Sequence, residues 1–259
     1  MGLMEEIIAR YSHSMTTSPG TDLASIPEGT RYLTRRPGAA LGIAALGMAL
    51  AALSPLLQLY AGLPDEPGVD MALTFVGLLP LELYFIPRFL IAADAQAGQN
   101  PLNRPEDWRQ RFEERWLRAF WGKALVALAT CVGLSLAIIP GILVLLAFGW
   151  TPLRILLRGE SLVQAAKGSY QMMLRAWQRV LLAASGIAFI YLAAMILLSY
   201  AVQVWVPDQT LEVRLTHPLI WTGNFLGGLL NLWLSSCLLA LYRRVDGAAP
   251  LEGVLPRAG

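Results

Sequence analysis

Two histidines, two cysteines and a charged fraction of 15% are all that this 259-residue chain offers to conventional site chemistry. Neither HExxH nor GxSxG occurs, and no P-loop or dinucleotide fingerprint is present, so the usual hydrolase and nucleotide-binding layouts have no starting point. His13 and His217 are isolated in predicted loops, where a lone imidazole is a solvated side chain. Cys131 and Cys237 fall inside apolar runs, where free cysteine behaves as a small hydrophobe, so neither a disulfide framework nor a zinc site follows. Soluble domains carry about a quarter charged residues; this chain carries far fewer, and its net charge of +2 gathers at the ends of apolar runs rather than on a basic face. Nucleic acid is therefore not an expected partner, and neither a catalytic centre, a metal nor a cofactor is expected.

What is present is apolar length. The composition is 56% hydrophobic with a mean hydropathy of +0.52, as in an integral membrane protein. The run from Ala119 to Leu157 is roughly twice the ~20 residues that cross a hydrocarbon core. It predicts two helices folded back at Pro140-Gly141. Four further spans are predicted: about Ala39 to Ala61, Met71 to Ala93, Val180 to Val204 and Leu219 to Tyr242. The expected fold is an all-α integral membrane protein, six transmembrane helices in three hairpins with amphipathic cytoplasmic helices. Residues 1–37 form an amphipathic helix and a loose tether, 38–244 the membrane domain, and 245–259 a tail. Thr34-Arg35-Arg36 hints at a twin-arginine export signal, but Pro37-Gly38 stand where such signals are hydrophobic, and an anchor is the reading.

Arg31, Arg35 and Arg36, the arginines of 104–118 and of 154–179, and Arg243-Arg244 all bound one side, while Arg214 sits opposite. The positive-inside rule makes the basic side cytoplasmic, both termini included, and places two short acidic loops, Leu63 to Asp70 and Pro207 to Pro218, outside. Trp116, Trp121, Trp205 and Trp221 fall at the interfaces as anchors. The expected location is a bacterial inner membrane.

Two basic segments have helical stripes. Residues 104–118 carry Trp108, Phe112 and Trp116 on one face with Arg109 and Arg111 beside them. The other opens on the capping box Ser161-Leu-Val-Gln164 and sets Gln164, Lys167, Gln171, Arg175 and Gln178 against Leu162, Ala166, Tyr170, Met173 and Trp177, with Arg179 following. Both are expected to lie on the membrane, where Arg109, Arg111, Lys167, Arg175 and Arg179 would meet anionic lipids or a protein partner.

Ile139-Pro140-Gly141-Ile142, Pro152, Gly159-Glu160-Ser161 and the stretch Ala165 to Ser169 resemble the pattern of a group of bacterial six-helix inner-membrane proteins. That group includes the membrane domain fused to some glycerophosphodiester phosphodiesterases. The resemblance implies a fold and carries no catalytic residues. Glu5-Glu6-Ile-Ile-Ala-Arg10 also matches the EExxxR string of intramembrane prenyl-type proteases, but the histidine motifs that complete that site are missing.

The polar residues inside the spans remain. A carboxylate at the bilayer centre costs on the order of 3 kcal/mol, so Glu82 is expected to face protein or a cavity, or to be protonated. Lys123 and Arg88 are its candidate partners, and Glu82, Lys123, Asn224 and Asn231 make a candidate relay. The small residues Gly38, Gly42, Ala45, Ala49 and Ala52 form a seam on the first span, expected to pack on Gly223 and Gly227 of the sixth or to support a homo-oligomer. Two functions follow: a non-catalytic membrane scaffold or accessory protein, and, as the alternative, a small transporter or channel using Glu82 and the polar sixth span. A wet cavity reaching Glu82 separates them.

Overall fold

The computed structural model describes residues 24–64, 66–96, 108–207 and 210–247, and these are helical with no strand among them. Six helical stretches are long and apolar enough to cross a membrane: Pro37–Ala61, Gly68–Asp94, Trp108–Leu136, Ile139–Arg158, Leu162–Trp205 and Pro218–Asp246, spans one to six below. The chain is a multi-pass membrane protein, all-α because lipid leaves backbone groups no partner but their own helix. The amphipathic start near Leu3, the Asp107 region and the tail from residue 248 lie outside the described residues.

Helix ends follow local chemistry. Proline opens the helices at Pro37 and Pro67, where its missing N–H has no helical partner to lose. Gly62 and Gly159 close helices in the left-handed region, at φ 65° and 71°. The Ser161–Gln164 capping box forms reciprocally. The hairpin between spans three and four turns at Ala137 rather than at Pro140-Gly141, since Ala137 alone is extended (φ −171°, ψ 160°). Pro140 sits in the first turn of the following helix, where proline is tolerated. Gly141 lets the two arms close: a Cβ on the facing Gly133 would lie 2.8 Å from its Cα.

Of the two stripes read as surface helices, one is the extended end of a span and the other is set off from its span by a kink. Residues 108–118 continue unbroken into span three, and Phe112 and Trp116 turn inward onto the ring of Tyr84, at 5.3 and 5.7 Å between centroids. Residues 162–178 join span five in the 44-residue helix Leu162–Trp205 across a kink at Ala176, where the backbone leaves the helical region (φ −129°, ψ 23°), close to the expected boundary. At 1.5 Å per residue that helix is about 66 Å long, about twice a hydrocarbon core, so one end must stand outside it. Its apolar side divides. Ala165, Ser169 and Met172 are buried against the bundle, while Val163, Tyr170, Leu174 and Trp177 stay exposed.

The stretch before span one is not a loose tether throughout. Ser25–Arg35 is a helix with Ser25, Gly29 and Tyr32 buried, packed beside span six. Gly29 is what allows the approach, since a Cβ there would meet the Cys237 Cα at 2.6 Å. Burial and the Asp94 charge push the Tyr32 phenol up to about 12.

The small-residue seam of span one is on another face from the one expected. Gly38, Gly42, Ala45 and Ala49 are exposed, with open space beside both glycines, and of the expected seam Ala52 alone is buried, along with Ala40, Ala44 and Gly47. Spans one and six do pack together, but through Ala44 and Gly228, whose added Cβ would lie 3.3 Å from the Ala44 Cα.

Burial is uneven along the bundle. Toward the arginine-rich end Phe89 to Asp94 of span two, Val180, Ala183 and Ile187 of span five, and Leu239 to Tyr242 of span six are all buried. Toward the other end no residue of 218–231 or of 188–205 is buried.

Candidate functional site

The site begins with a fault in span two. Pro80 and Pro87 each withhold an N–H, and between them Leu81–Phe85 forms a π-helical turn in which the Ile86 N–H reaches back to the Leu81 carbonyl. The Glu82 carbonyl would then need the N–H of residue 87, which is a proline. Lys123 supplies the missing donor: its Nζ bonds the Glu82 carbonyl at 3.1 Å and the Glu82 carboxylate Oε2 at 2.9 Å. The other carboxylate oxygen accepts from Asn231 Nδ2. Isolated π-turns of this kind gather at functional sites.

Three spans thus meet at one depth. Asn231 lies about 20 Å from the Pro218 end of span six at 1.5 Å per residue, Lys123 the same distance from the Leu136 end of span three, and Glu82 midway along span two. A carboxylate and an ammonium at mid-membrane are tolerated when each neutralises and hydrogen-bonds the other. Arg88, the other candidate partner, points elsewhere: it donates to the Tyr84 hydroxyl, which donates to Glu113.

Above Asn231 the bundle is hollow. A cavity of about 590 Å³ runs between spans one, two, five and six, bounded by Asn231, Leu81 and Tyr191 at its deep end and by Asp70, Arg214 and Trp221 toward the end opposite the arginines. Ile220, Asn224, Gly227 and Asn231 line the cavity as one face of span six, three or four residues apart. Gly223 and Gly227 therefore do not grip span one. Both face span five, with an added Cβ 3.0 Å from Val202 and 3.8 Å from Met195, and their missing side chains are part of what keeps the space open. Apolar walls from Leu78, Met195, Leu198 and Val202 alternate with Thr74, Ser199, Gln203 and the two asparagines. Such a lining suits an amphiphilic occupant.

The mouth carries a tie that sequence reasoning missed. Arg214 bonds Asp70 at 2.6 Å, and Asp70 also accepts from the Ser54 hydroxyl at 2.6 Å, joining span one, span two and the loop before span six. The available signal was that Arg214 is a solitary cation among acidic loops. At the arginine-rich end the ties are heavier. Arg154 holds Glu160 through two bonds of 2.9 and 2.6 Å and Asp246 at 3.3 Å, Arg158 also holds Asp246, Arg243 grips Asp94, and Arg244 grips Glu28 at 2.8 Å.

Comparison with protein families, with curated proteins and with solved structures finds no match.

Of the remaining sequence candidates, Asn224 is on the cavity wall, not in contact with Glu82. Lys167, Arg175 and Arg109 are exposed, the last with its guanidinium 5.6 Å from the Trp108 ring centroid, and Arg111 and Arg179 are half-buried. These five belong to two helices and line no part of the cavity. Among the described residues no group of three or more His, Cys, Asp or Glu is placed to hold a metal.

Proposed function

We propose that the protein is a small, non-catalytic membrane transporter whose cavity opens at the end opposite the arginines. One observation carries the reading: the cavity ends at Asn231, the residue that holds Glu82 at mid-depth beside a broken helix. Membrane transport sites are commonly built this way, at the midplane and from discontinuous helices. The packing asymmetry supports an outward-open state, with the far half hollow and the arginine-rich half sealed by apolar packing and ion pairs. In this reading the arginine-rich end and both termini are cytoplasmic in a bacterial inner membrane, as the charge bias argues. Membership of the resembled six-helix group is part of the same proposal.

Cysteine accessibility tests it. In a background lacking Cys131 and Cys237, Thr74→Cys and Asn224→Cys should react in intact cells with a membrane-impermeant maleimide, as should Glu66→Cys, while Lys167→Cys should react only after lysis. A dry cavity, with Glu66→Cys labelled and both cavity positions silent, would remove the transporter reading. Labelling of Lys167→Cys but not Glu66→Cys would reverse the orientation. A scaffold or oligomer role is the second reading, supported by the unfilled Gly38, Gly42, Ala45 and Ala49 face of span one.

A further inference from the structure

The Glu82–Lys123 pair is only partly enclosed: the glutamate side chain is 32% exposed and the lysine 42%. Neither lines the cavity, whose deep end stops at Asn231 on the other side of the carboxylate. The uncovered side of the charged pair therefore lies outside this cavity at mid-membrane depth, where bare hydrocarbon is the least tolerable neighbour. Phe85, three residues from Glu82, and Ala127, one turn beyond Lys123 on its own face of span three, are exposed and apolar. A polar group set in an apolar flank matches a molecule with a head and a tail.

The hydrogen bonds give the sign of the head. Both Glu82 carboxylate oxygens have donors, from Lys123 and from Asn231. An ammonium has three N–H donors, and among the described residues Lys123 meets two acceptors, both belonging to Glu82. Unused capacity is thus on the donor side, and in a medium of low dielectric a charged acceptor fills it best.

We propose that the exposed side of this pair is the headgroup site for an anionic membrane amphiphile, with a phosphate or carboxylate on Lys123 and its tail along Phe85 and Ala127. The inference rests on the transporter reading and names its ligand class: the amphiphile enters from the side, and Asn231 connects the headgroup site to the cavity.

The test is lipid retention after purification from nanodiscs, read by native mass spectrometry. Phosphatidylcholine alone is compared with phosphatidylcholine carrying phosphatidylglycerol, for the phosphate head, or oleate, for the carboxylate head. The parent should retain one or both anionic amphiphiles over phosphatidylcholine, and the arm that binds identifies the head. Lys123→Met should lose that retention about tenfold, the loss of one charge-assisted hydrogen bond. Lys123→Arg should keep it. Glu82→Gln should raise it, because the competing carboxylate is gone. Equal retention of neutral and anionic lipid, or parent-like retention by Lys123→Met, would overturn the proposal. If Lys123→Met does not fold, unchanged retention in Glu82→Gln would do so. Reactive Thr74→Cys and Asn224→Cys alongside absent retention would sink this inference while leaving the transporter reading intact.

Discussion

Two ion pairs inside this membrane domain differ in what surrounds them, and their mutational behaviour should differ accordingly. Asp94 is 0% exposed, and Arg243 meets both its oxygens in a two-pronged grip, with Nε at 2.7 Å from Oδ1. Removing one partner of such a pair strands the other charge and costs about 3–5 kcal/mol, whereas replacing both with apolar groups is often neutral. Asp94→Leu should therefore lower stability in a denaturation series by about that amount, and Asp94→Leu with Arg243→Met should recover most of it. A double variant no better than the single would mean that the pair contributes more than mutual neutralisation. Glu82 and Lys123 are part-exposed, and Glu82 accepts a further bond from Asn231, which lines a cavity. Loss of either should register in binding before it registers in folding.

At the level of helices, the decisive contacts are glycine contacts, and they separate positions that look alike in the chain. Gly29 faces the backbone of Cys237, which cannot swing aside as a side chain can, while Gly42 has nothing within 4 Å. Gly29→Ala should detach helix Ser25–Arg35 from span six, seen as faster hydrogen exchange across residues 25–35 and reduced thermal stability. Gly42→Ala should match the parent in both. Equal behaviour of the two would contradict the close approach. The number of spans, the polar residues and the Ser161 cap were legible because apolar length, rare charge and a local capping pattern are one-dimensional signals. Choosing a packed face was not, because span one carries glycine or alanine at 38, 39, 40, 42, 44, 45, 47, 49, 51 and 52, so every side of the helix offers a small-residue seam. The stripe at 108–118 was read as a separate helix since its polarity changes where the span begins, whereas the 162–178 helix is set off by the kink at Ala176. Polarity alone does not end a helix, and no breaker stands at Arg118-Ala119. The π-turn was signalled only as a bend between Pro80 and Pro87, because i→i+5 register depends on which donors neighbouring spans supply.

Across the whole molecule the two ends are closed to different degrees, and that difference sets the direction in which the bundle can open. The arginine-rich end is held by Arg154 and Arg158 on Glu160 and Asp246, Arg243 on Asp94, and Arg244 on Glu28, over a layer of fully buried side chains. The opposite end has the Ser54, Asp70 and Arg214 tie over a hollow. A transporter must weaken each closure in turn, and the lighter one is the easier to test. Arg214→Gln breaks the charge pair at the mouth but leaves Ser54 on Asp70, so the fold should persist while spans one and two separate more readily from the loop before span six. Maleimide reaction at Asn224→Cys should then accelerate several-fold, since access through a gate follows the open fraction, and a surface pair worth up to about 1 kcal/mol changes that fraction about fivefold. Reaction at Glu66→Cys, outside the cavity, should keep its rate. If Arg214→Gln leaves the Asn224→Cys rate unchanged, the mouth is permanently open and the tie only positions the loop. If both rates rise together, the variant has loosened that end of the protein as a whole rather than opened a gate.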